Sequence, residues 1–311
     1  MYREQVVAEK LQPPSCHSAT IEELENGELI AAWYSGSYEG AEDTILMSSR
    51  RTLDGNWTRP SELLNMPSLP LGNPVLDRNC NQLVLYFVIL YGDWWTEARL
   101  AKIESRDNGY TWSAPQGVHP QKGLMVRTKP LHLNSGVLLL PVYDEIQWSP
   151  LVLRSEDNGK CWNLYGDTTV RGKSIQPSLV QLSDDSVLMF TRSNKRRIYL
   201  SRSFNDGLSW TASQPTELPN PNSGIDVVKG KEGYLILSYN PLEHGRTILA
   251  LSVSQDEGQT WQPPKVVMKG PGEYSYPTLL QASSGRYHLV FTRNREAIFH
   301  IEFDQDWVLA R

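Results

Sequence analysis

The sequence has little of what metal-dependent, disulfide-linked or membrane-bound proteins require. Only 3 of its 311 residues are cysteines, and none lies in a CxxC pair or a Cys/His cluster, so we expect neither a zinc site nor a disulfide framework. No apolar run approaches the ~18 residues of a membrane span. The first residues also lack a charged segment followed by a long apolar core. We therefore expect a soluble, cytoplasmic protein without a metal or organic cofactor.

Positive charge is scarce as well. The formal net charge is −5, and the most basic stretch, Ser193–Arg197, is typical of a hairpin tip rather than a binding patch. These features exclude nucleic acid as a partner. Aromatic residues are abundant instead: the 10 tryptophans and 14 tyrosines suit an all-β fold or a sugar-binding surface.

A short pattern, Ser-x-Asp/Asn-x-Gly-x-Thr/Ser/Cys-Trp, recurs along the chain. Full copies begin at Ser105, Ser155, Ser203 and Ser254, and weaker copies end at Trp57 and Trp307. Ser and Asp side chains hold tight turns, and Gly supplies a positive φ at no steric cost. We interpret these motifs as structural turns, not as ligand sites.

The closing tryptophans fall about fifty residues apart. Between them, short apolar strands begin after a recurring small residue or proline. This spacing predicts a six-bladed β-propeller of four-stranded blades, formed as a single domain by residues 1–311. We expect Gln5–Ala8 to complete the last blade, since closing the ring removes an exposed sheet edge, and the turn motifs to lie on the rim away from the central mouth.

The residues just ahead of each recurring proline can meet where the innermost strands converge. Polar or aromatic residues stand at these positions in all six repeats: His17, Ser18, Asn73, Arg127, Lys129, Gln176, Asn222, Ser223, Tyr274 and Tyr276. A structural role is open for each of them alone. Together they predict a ligand site at the mouth.

The repeated turns and these strand starts resemble the sialidases and their Asp-box (bacterial neuraminidase repeat) relatives over essentially the whole length. Sialidases hold the substrate carboxylate with three arginines and use a tyrosine nucleophile, a glutamate that activates it, and an aspartate as acid/base. The resemblance assigns two clamp arginines to Arg192 and Arg246 and the nucleophile to Tyr276, with Tyr274 as the alternative.

Three positions depart from the sialidase pattern. His17 stands where the first clamp arginine is expected, Gln176 where the activating glutamate is expected, and Thr292 where a glutamate usually braces the first arginine. Glutamine cannot accept a proton, so we expect weak or absent cleavage of ordinary sialosides. Arg127 is a candidate replacement cation. His17 with Tyr276 is a candidate proton-transfer pair, because histidine titrates near neutral pH.

Further candidates come from the loops. Asp43 aligns loosely with the acid/base aspartate and Glu39 lies close by, although a tight turn at Gly36–Gly40 explains both equally well. Outer-strand packing is likewise the alternative for the residues that we predict to form sugar-stacking walls: Trp94, Trp95, Tyr143, Glu145 and Trp148.

Several functions remain open at this stage. The first is a carbohydrate-active enzyme that cleaves a glycosidic bond in a carboxylated glycan or acts on a similar small acid. A lyase that works by β-elimination next to a uronate uses the same groups. The last is a glycan-binding or scaffold propeller without catalysis. The oligomeric state cannot be read from the sequence.

Overall fold

Almost every regular segment of the computed structural model is a β-strand; the structure describes residues 1–9, 13–166 and 170–310. The strands of the first three repeats, after the N-terminal strand β1 (Tyr2–Glu9), are β2 (Ser15–Glu23), β3 (Leu29–Gly36), β4 (Ile45–Arg51), β5 (Ser61–Leu64), β6 (Leu71–Asn79), β7 (Gln82–Leu90), β8 (Ala98–Ser105), β9 (Gln116–Gly117), β10 (Leu124–Val126), β11 (Leu131–His132), β12 (Leu138–Asp144), β13 (Ser149–Ser155) and β14 (Asn163–Tyr165).

The remaining repeats follow the same order. Their elements are β15 (Ser174–Gln181), β16 (Val187–Ser193), β17 (Arg197–Ser203), β18 (Gln214–Pro219), β19 (Asp226–Lys229), β20 (Leu235–Tyr239), β21 (Ile248–Ser254), β22 (Lys265–Lys269), β23 (Tyr274–Gln281), β24 (Tyr287–Arg293), β25 (Ala297–Phe303) and the short helix α1 (Gln305–Leu309). A 3-10 turn covers Trp95–Glu97.

These strands form a six-bladed β-propeller. In the described residues they build six antiparallel sheets, five from consecutive strands and one in the order β1-β25-β24-β23. β1 pairs with β25 from Tyr2↔Phe303 to Glu9↔Ala297, so the N-terminal strand completes the sixth blade, as the sequence predicts. The innermost strands β2, β6, β10, β15, β19 and β23 contact their neighbours around a central axis.

The turn motifs hold the far end of each blade. In the copy at Ser105, its hydroxyl accepts from Gly109 N at 2.7 Å, and Asp107 accepts from the backbone of Thr111 at 2.9 Å. Gly109 has a φ of 78°, which glycine adopts without steric cost. The tryptophan then packs on the preceding blade, as Trp162 does edge-on against Tyr86. The motifs are therefore structural turns that tie blades together.

The innermost strands carry irregularities at one end of the ring. The pairing register shifts at the start of β2, β6, β15 and β23. Ser18, Asn73, Gln176 and Tyr276 lie at those shifts with φ between 43° and 58°, the left-handed region that non-glycine residues adopt rarely. Such bulges re-aim side chains, and such strained backbone clusters at functional sites. None of the described helices is long and apolar enough to cross a membrane.

Candidate functional site

A cavity of about 220 Å³ opens at the end of the propeller where the innermost strands begin. Because the third strand of each blade runs away from this end, the turn motifs that follow it lie at the opposite end. The lining residues come from the starts of innermost strands, the ends of second strands and the loops that lead into third strands: Glu39, Asn73, Trp95, Met125, Tyr143, Glu145, Trp148, Ile175, Gln176, Arg192, Arg246, Tyr276 and Arg295.

Arg192, near the end of β16, is the centre of a buried hydrogen-bond network. Its Nη1 donates to Gln176 Oε1 at 3.0 Å and to the phenol oxygen of Tyr276 at 3.1 Å. Its Nε donates to Asn222 Oδ1 at 2.9 Å. Three bonds fix the planar guanidinium in one orientation and use Nε and both hydrogens of Nη1, so Nη2 is left to donate to a carboxylate.

Two further arginines line the same cavity. Arg246 donates to Asn222 O at 2.9 Å and pairs with Glu273 at 2.8 Å. Arg295, at the tip of the β24–β25 hairpin, pairs with Glu39 and lies 3.6 Å from Glu273. Glu273 thus braces both guanidinium groups from one side. Together with Arg192 they bring three guanidinium groups to one cavity.

Arg295 lines the cavity but was not among the residues predicted from the sequence. The family pattern places the first arginine at the start of blade one, where this chain has His17, and it does not indicate which residue replaces that arginine. The run Arg293-Asn294-Arg295, directly after Thr292, is the feature of the sequence that could have indicated Arg295. Asn294 and Arg295 both have positive φ values, as a two-residue hairpin turn requires.

The phenol of Tyr276 has an unusual electrostatic environment. Gln176 Nε2 donates to its oxygen at 3.3 Å, in addition to the bond from Arg192. Burial raises the pKa of Tyr276, but Arg192, the Gln176 hydrogen bond, Arg246 and Arg127 together outweigh burial and lower it below 10.0. Hydrogen bonds donated to a phenol oxygen favour its ionised form. The surroundings of Tyr276 therefore favour its phenolate more than those of an ordinary tyrosine do.

A second phenol lies next to it. Tyr143 accepts from Asn73 Nδ2 and from Gln176 Nε2, both at 3.2 Å. Burial, with Glu145 and Tyr276 nearby, raises the pKa of Tyr143. The two phenols share one glutamine amide, but their pKa values shift in opposite directions, because only Tyr276 is bonded to an arginine. Tyr143 remains a neutral hydrogen-bonding group of the cavity floor.

The cavity also contains carboxylates. Burial raises the pKa of Glu145, an effect that Arg192 opposes. Glu39 is paired with Arg295. Asp43, which the resemblance suggested as acid/base, is exposed and accepts from Ser37 N at 2.9 Å and Ser37 Oγ at 2.6 Å, so that it closes its own loop instead of facing the cavity.

Four other predicted substrate-binding residues lie outside the cavity lining. Asn222 instead accepts hydrogen bonds from Arg192 and Arg246. Lys129 pairs with Glu22 at 2.6 Å, because its strand has already passed the mouth. Tyr274 packs in the apolar core beside Leu249 and Phe299, since it precedes the bulge that turns Tyr276 inward. Arg127 is buried below the cavity floor.

His17 contacts Tyr276 without a hydrogen bond. The ring centroids are 4.1 Å apart, and the imidazole also meets Tyr34 edge-on at 5.7 Å. Both of its nitrogens lack a hydrogen-bond partner in the described protein. Burial, followed by the charges of Arg295 and Arg127, holds its pKa well below 6.5. The neutral ring supports the Tyr276 ring, and its role in proton transfer stays a prediction.

Trp95 and Trp148 form walls of the cavity, whereas Trp94 turns away and is 72% exposed. Trp95 stands over Gly72, where an added Cβ would come within 2.9 Å of the indole ring. Such a flat apolar wall beside fixed polar groups suits a sugar ring. Among the described residues no group of three or more His, Cys, Asp or Glu could hold a metal ion.

A six-bladed propeller with these turns, and with arginines and a tyrosine at its mouth, has the architecture of the sialidase-type propellers. Residues 27–289 match the model of the BNR repeat-like domain family, and the chain belongs to that family. Over 166 residues it is 26% identical to a sialidase of Micromonospora viridifaciens; this region is 50% of the chain but only 25% of that protein.

Solved structures share the fold at low identity. An intramolecular trans-sialidase from Ruminococcus gnavus, in complex with oseltamivir carboxylate, superposes with a TM-score of 0.82 at 14% identity and covers 99% of this chain and 98% of that one. A Hadza microbial sialidase gives a TM-score of 0.82 at 17% identity and covers 95% and 66%. At these identities the likeness establishes the fold.

Proposed function

We propose that this protein is a sialidase-like carbohydrate-active enzyme that cleaves a glycosidic bond in a carboxylated sugar. The observation that carries the proposal is the convergence of Arg192, Arg246 and Arg295 on a cavity that also contains the phenol of Tyr276. Three guanidinium groups that face one small cavity favour an anionic ligand group. Trp95 and Trp148 give the rest of the ligand an apolar wall.

In this proposal the carboxylate of the substrate displaces Glu39 from Arg295 and lies between the three arginines. The Tyr276 phenolate attacks the anomeric carbon, and the bond from that carbon to the leaving-group oxygen breaks. A covalent glycosyl-tyrosine forms, which water then hydrolyses. Glu145, whose protonated form burial favours, donates a proton to the leaving oxygen.

Gln176 has a different role from the glutamate of the family pattern. Arg192 occupies its Oε1, so its Nε2 has to face the two phenols. It holds the phenolate by donating a hydrogen bond and accepts no proton. The absence of a base beside Tyr276 supports slower cleavage of ordinary sialosides than a sialidase gives.

Calorimetric titration with N-acetylneuraminic acid and glucuronic acid, each against its methyl ester, tests the anionic site. We expect the free acid of the preferred sugar to bind and its ester to bind at least about 10-fold more weakly, the effect of losing one charge-assisted hydrogen bond. Arg192→Ala should abolish binding of the acid, whereas Arg202→Ala, on the surface, should not. Equal affinity for acid and ester would refute the carboxylate site. Binding without turnover of any glycoside of that sugar would favour a binding propeller.

A further inference from the structure

Arg127, directly after β10 (Leu124–Val126), is a buried arginine that reaches across the ring axis. Its Nη2 donates to Pro277 O at 3.0 Å and its Nη1 to Thr278 Oγ1 at 3.1 Å. These partners belong to blade six, opposite its own blade three. They are the two residues after Tyr276 in β23. The guanidinium is thus hydrogen-bonded to the strand that carries Tyr276.

The charge of Arg127 has no ion-pair partner in the described residues. Its side chain is among the largest that are fully buried, and its Nε has no hydrogen-bond partner there. A buried charge without a counterion is costly. Its Cζ lies 4.9 Å from the centroid of the Tyr276 ring. Burial lowers the pKa of Arg127, and the nearby Asp226 carboxyl and Tyr276 phenol oppose this effect. Of these two groups, only the phenol lines the cavity.

Other charged or titratable groups surround this pair. They face Tyr276 or Arg127 from each packed element: His17 on β2, Tyr34 on β3, Tyr143 on β12, Arg192 on β16, Asp226 on β19, and Arg246 and Arg295 on their loops. Arg192, Arg246 and Arg295 line the cavity, so a bound carboxylate would offset part of their charge. Arg127 is 1% exposed and does not line it. Its charge would therefore persist in full beside the Tyr276 ring in the substrate complex.

Building on the function proposed above, we propose that Arg127 is a positioning residue that replaces the missing base: it fixes the Tyr276 strand and holds a permanent positive charge under the ring, so that the phenol ionises with no proton acceptor beside it. The proton leaves to solvent before the substrate binds. No oxidant, metal or second reactant is needed for this step. The same charge then keeps Tyr276 ionised while the substrate occupies the other arginines.

Ultraviolet titration of tyrosinate in the substrate-free protein tests this directly. The difference between the wild type and Tyr276→Phe isolates the Tyr276 phenol from the other tyrosines. In Arg127→Met we expect its titration midpoint to rise by at least about one pH unit, the effect of an opposite charge 4–6 Å away. Arg127→Lys keeps the charge without the guanidinium fork. Thr278→Val removes the hydrogen bonds of this hydroxyl with Arg127 and with Ala19 O, and it keeps the charge. Both should leave the midpoint near that of the wild type.

An unchanged midpoint in folded Arg127→Met would overturn the proposal. If Arg127→Met does not fold, Arg127→Lys provides the test. A rise of the Tyr276 titration midpoint by a full pH unit in Arg127→Lys would mean that Arg127 acts through its hydrogen bonds and not through its charge, which would also overturn the proposal. This readout needs no substrate, so a lack of glycosidase activity would contradict the proposed function and leave the titration result intact. Calorimetric binding of N-acetylneuraminic acid should be unaffected in Arg127→Lys.

Discussion

Gln176 donates from Nε2 to the phenol oxygen of Tyr276 at 3.3 Å, with its own oxygen held at 3.0 Å by Arg192. The orientation of the amide is fixed, because a guanidinium can only donate. The phenol oxygen therefore receives two N–H donors and faces no protein acceptor within the described residues. An oxygen in place of Nε2 at this position would put a base beside the phenol instead of a hydrogen-bond donor.

Gln176→Glu is the first test of that difference. A carboxylate in hydrogen-bonding distance disfavours the ionised phenol, so the Tyr276 titration midpoint should rise. The same carboxylate can accept the phenol proton during attack, so cleavage of a fluorogenic sialoside should increase by about 10²-fold, the lower end of what a general base contributes. Initial rates of both proteins on that substrate give the measurement, with the exposed Gln259→Glu as control. A decrease in rate would show that the base is not what limits sialoside cleavage.

Arg295→Ala tests the third arginine. Removal of one charge-assisted contact costs about 1.5–3 kcal/mol, so the dissociation constant for the carboxylated sugar should rise by about 10- to 100-fold. Arg293 lies on the same hairpin, is exposed, and contacts Phe299 instead of the cavity. Arg293→Ala is therefore the matched control and should bind as the wild type does in calorimetry. Equal loss in both variants would point to the hairpin fold rather than to the Arg295 charge.

His17 gives a third prediction. His17→Ala should leave binding of the sugar acid intact and reduce turnover strongly, because the Tyr276 ring loses the partner 4.1 Å below it. His17→Phe restores a ring without nitrogens and should recover most of the turnover. Unfolding midpoints of both variants control for the buried position. A Phe variant as inactive as the Ala variant would instead assign proton transfer to the imidazole.

A fourth prediction concerns stability against acid. His288 and His300 are buried and joined by a 3.0 Å hydrogen bond. Burial, with Arg51 and Arg286 nearby, lowers the pKa of His288 to about 3, and burial holds that of His300 well below 6.5. Both are ordinary histidines once unfolded. The unfolded state thus binds more protons below pH 6.5, and the stability present above that pH is lost as pH falls toward 3.

Urea unfolding at pH 7, 6 and 5 measures this loss. Between the folded and unfolded pKa values, each histidine lowers the free energy of unfolding by up to about 1.4 kcal/mol for each pH unit of acidification. His288→Gln should reduce the slope, whereas His244→Gln, at an exposed histidine, should leave it unchanged. A His288 variant with the wild-type slope would contradict the assignment.

The fold and the site differ in how much the sequence revealed. The turn motifs repeat because each one closes a blade with its own local hydrogen bonds, so their spacing predicted six blades, and Gln5–Ala8 was correctly assigned to the last blade. Arg192, Arg246, Gln176 and Tyr276 share one cavity because they follow the repeat register. Lys129 and Tyr274 do not, since the bulges that decide which residue faces the axis depend on φ values rather than on residue type.

Arg295 was not predicted from the sequence for a related reason. Its guanidinium reaches the cavity from a hairpin tip, and its place there depends on ion pairs with Glu39 and Glu273, which lie far away in the sequence. Local patterns cannot encode such pairs. Arg127 was singled out by its charge, but a fully buried arginine that spans the ring follows only from the geometry of opposite blades.

The last prediction concerns Glu145, the carboxyl group that the proposed function uses as a proton donor. Burial raises the pKa of Glu145, so its protonated form should persist to higher pH than that of an ordinary glutamate. Turnover should fall as the pH rises through the pKa of Glu145. Glu145→Gln keeps the shape and cannot donate a proton from a carboxyl. For a glycoside with an alkyl leaving group, which needs protonation, turnover should fall by about 10²–10⁴-fold.

The matching experiment uses a nitrophenyl glycoside of the same sugar. Its leaving group departs as an anion without help, so Glu145→Gln should lose far less turnover on it, and the decline of turnover at high pH should disappear. Glu39→Gln is the control, because Glu39 is held by Arg295 and is displaced on binding in the proposed mechanism. If Glu39→Gln, and not Glu145→Gln, showed the dependence on leaving group, the proton donor would be Glu39. In that case the acid would stand on the same loop as Asp43, close to where the family resemblance first placed it.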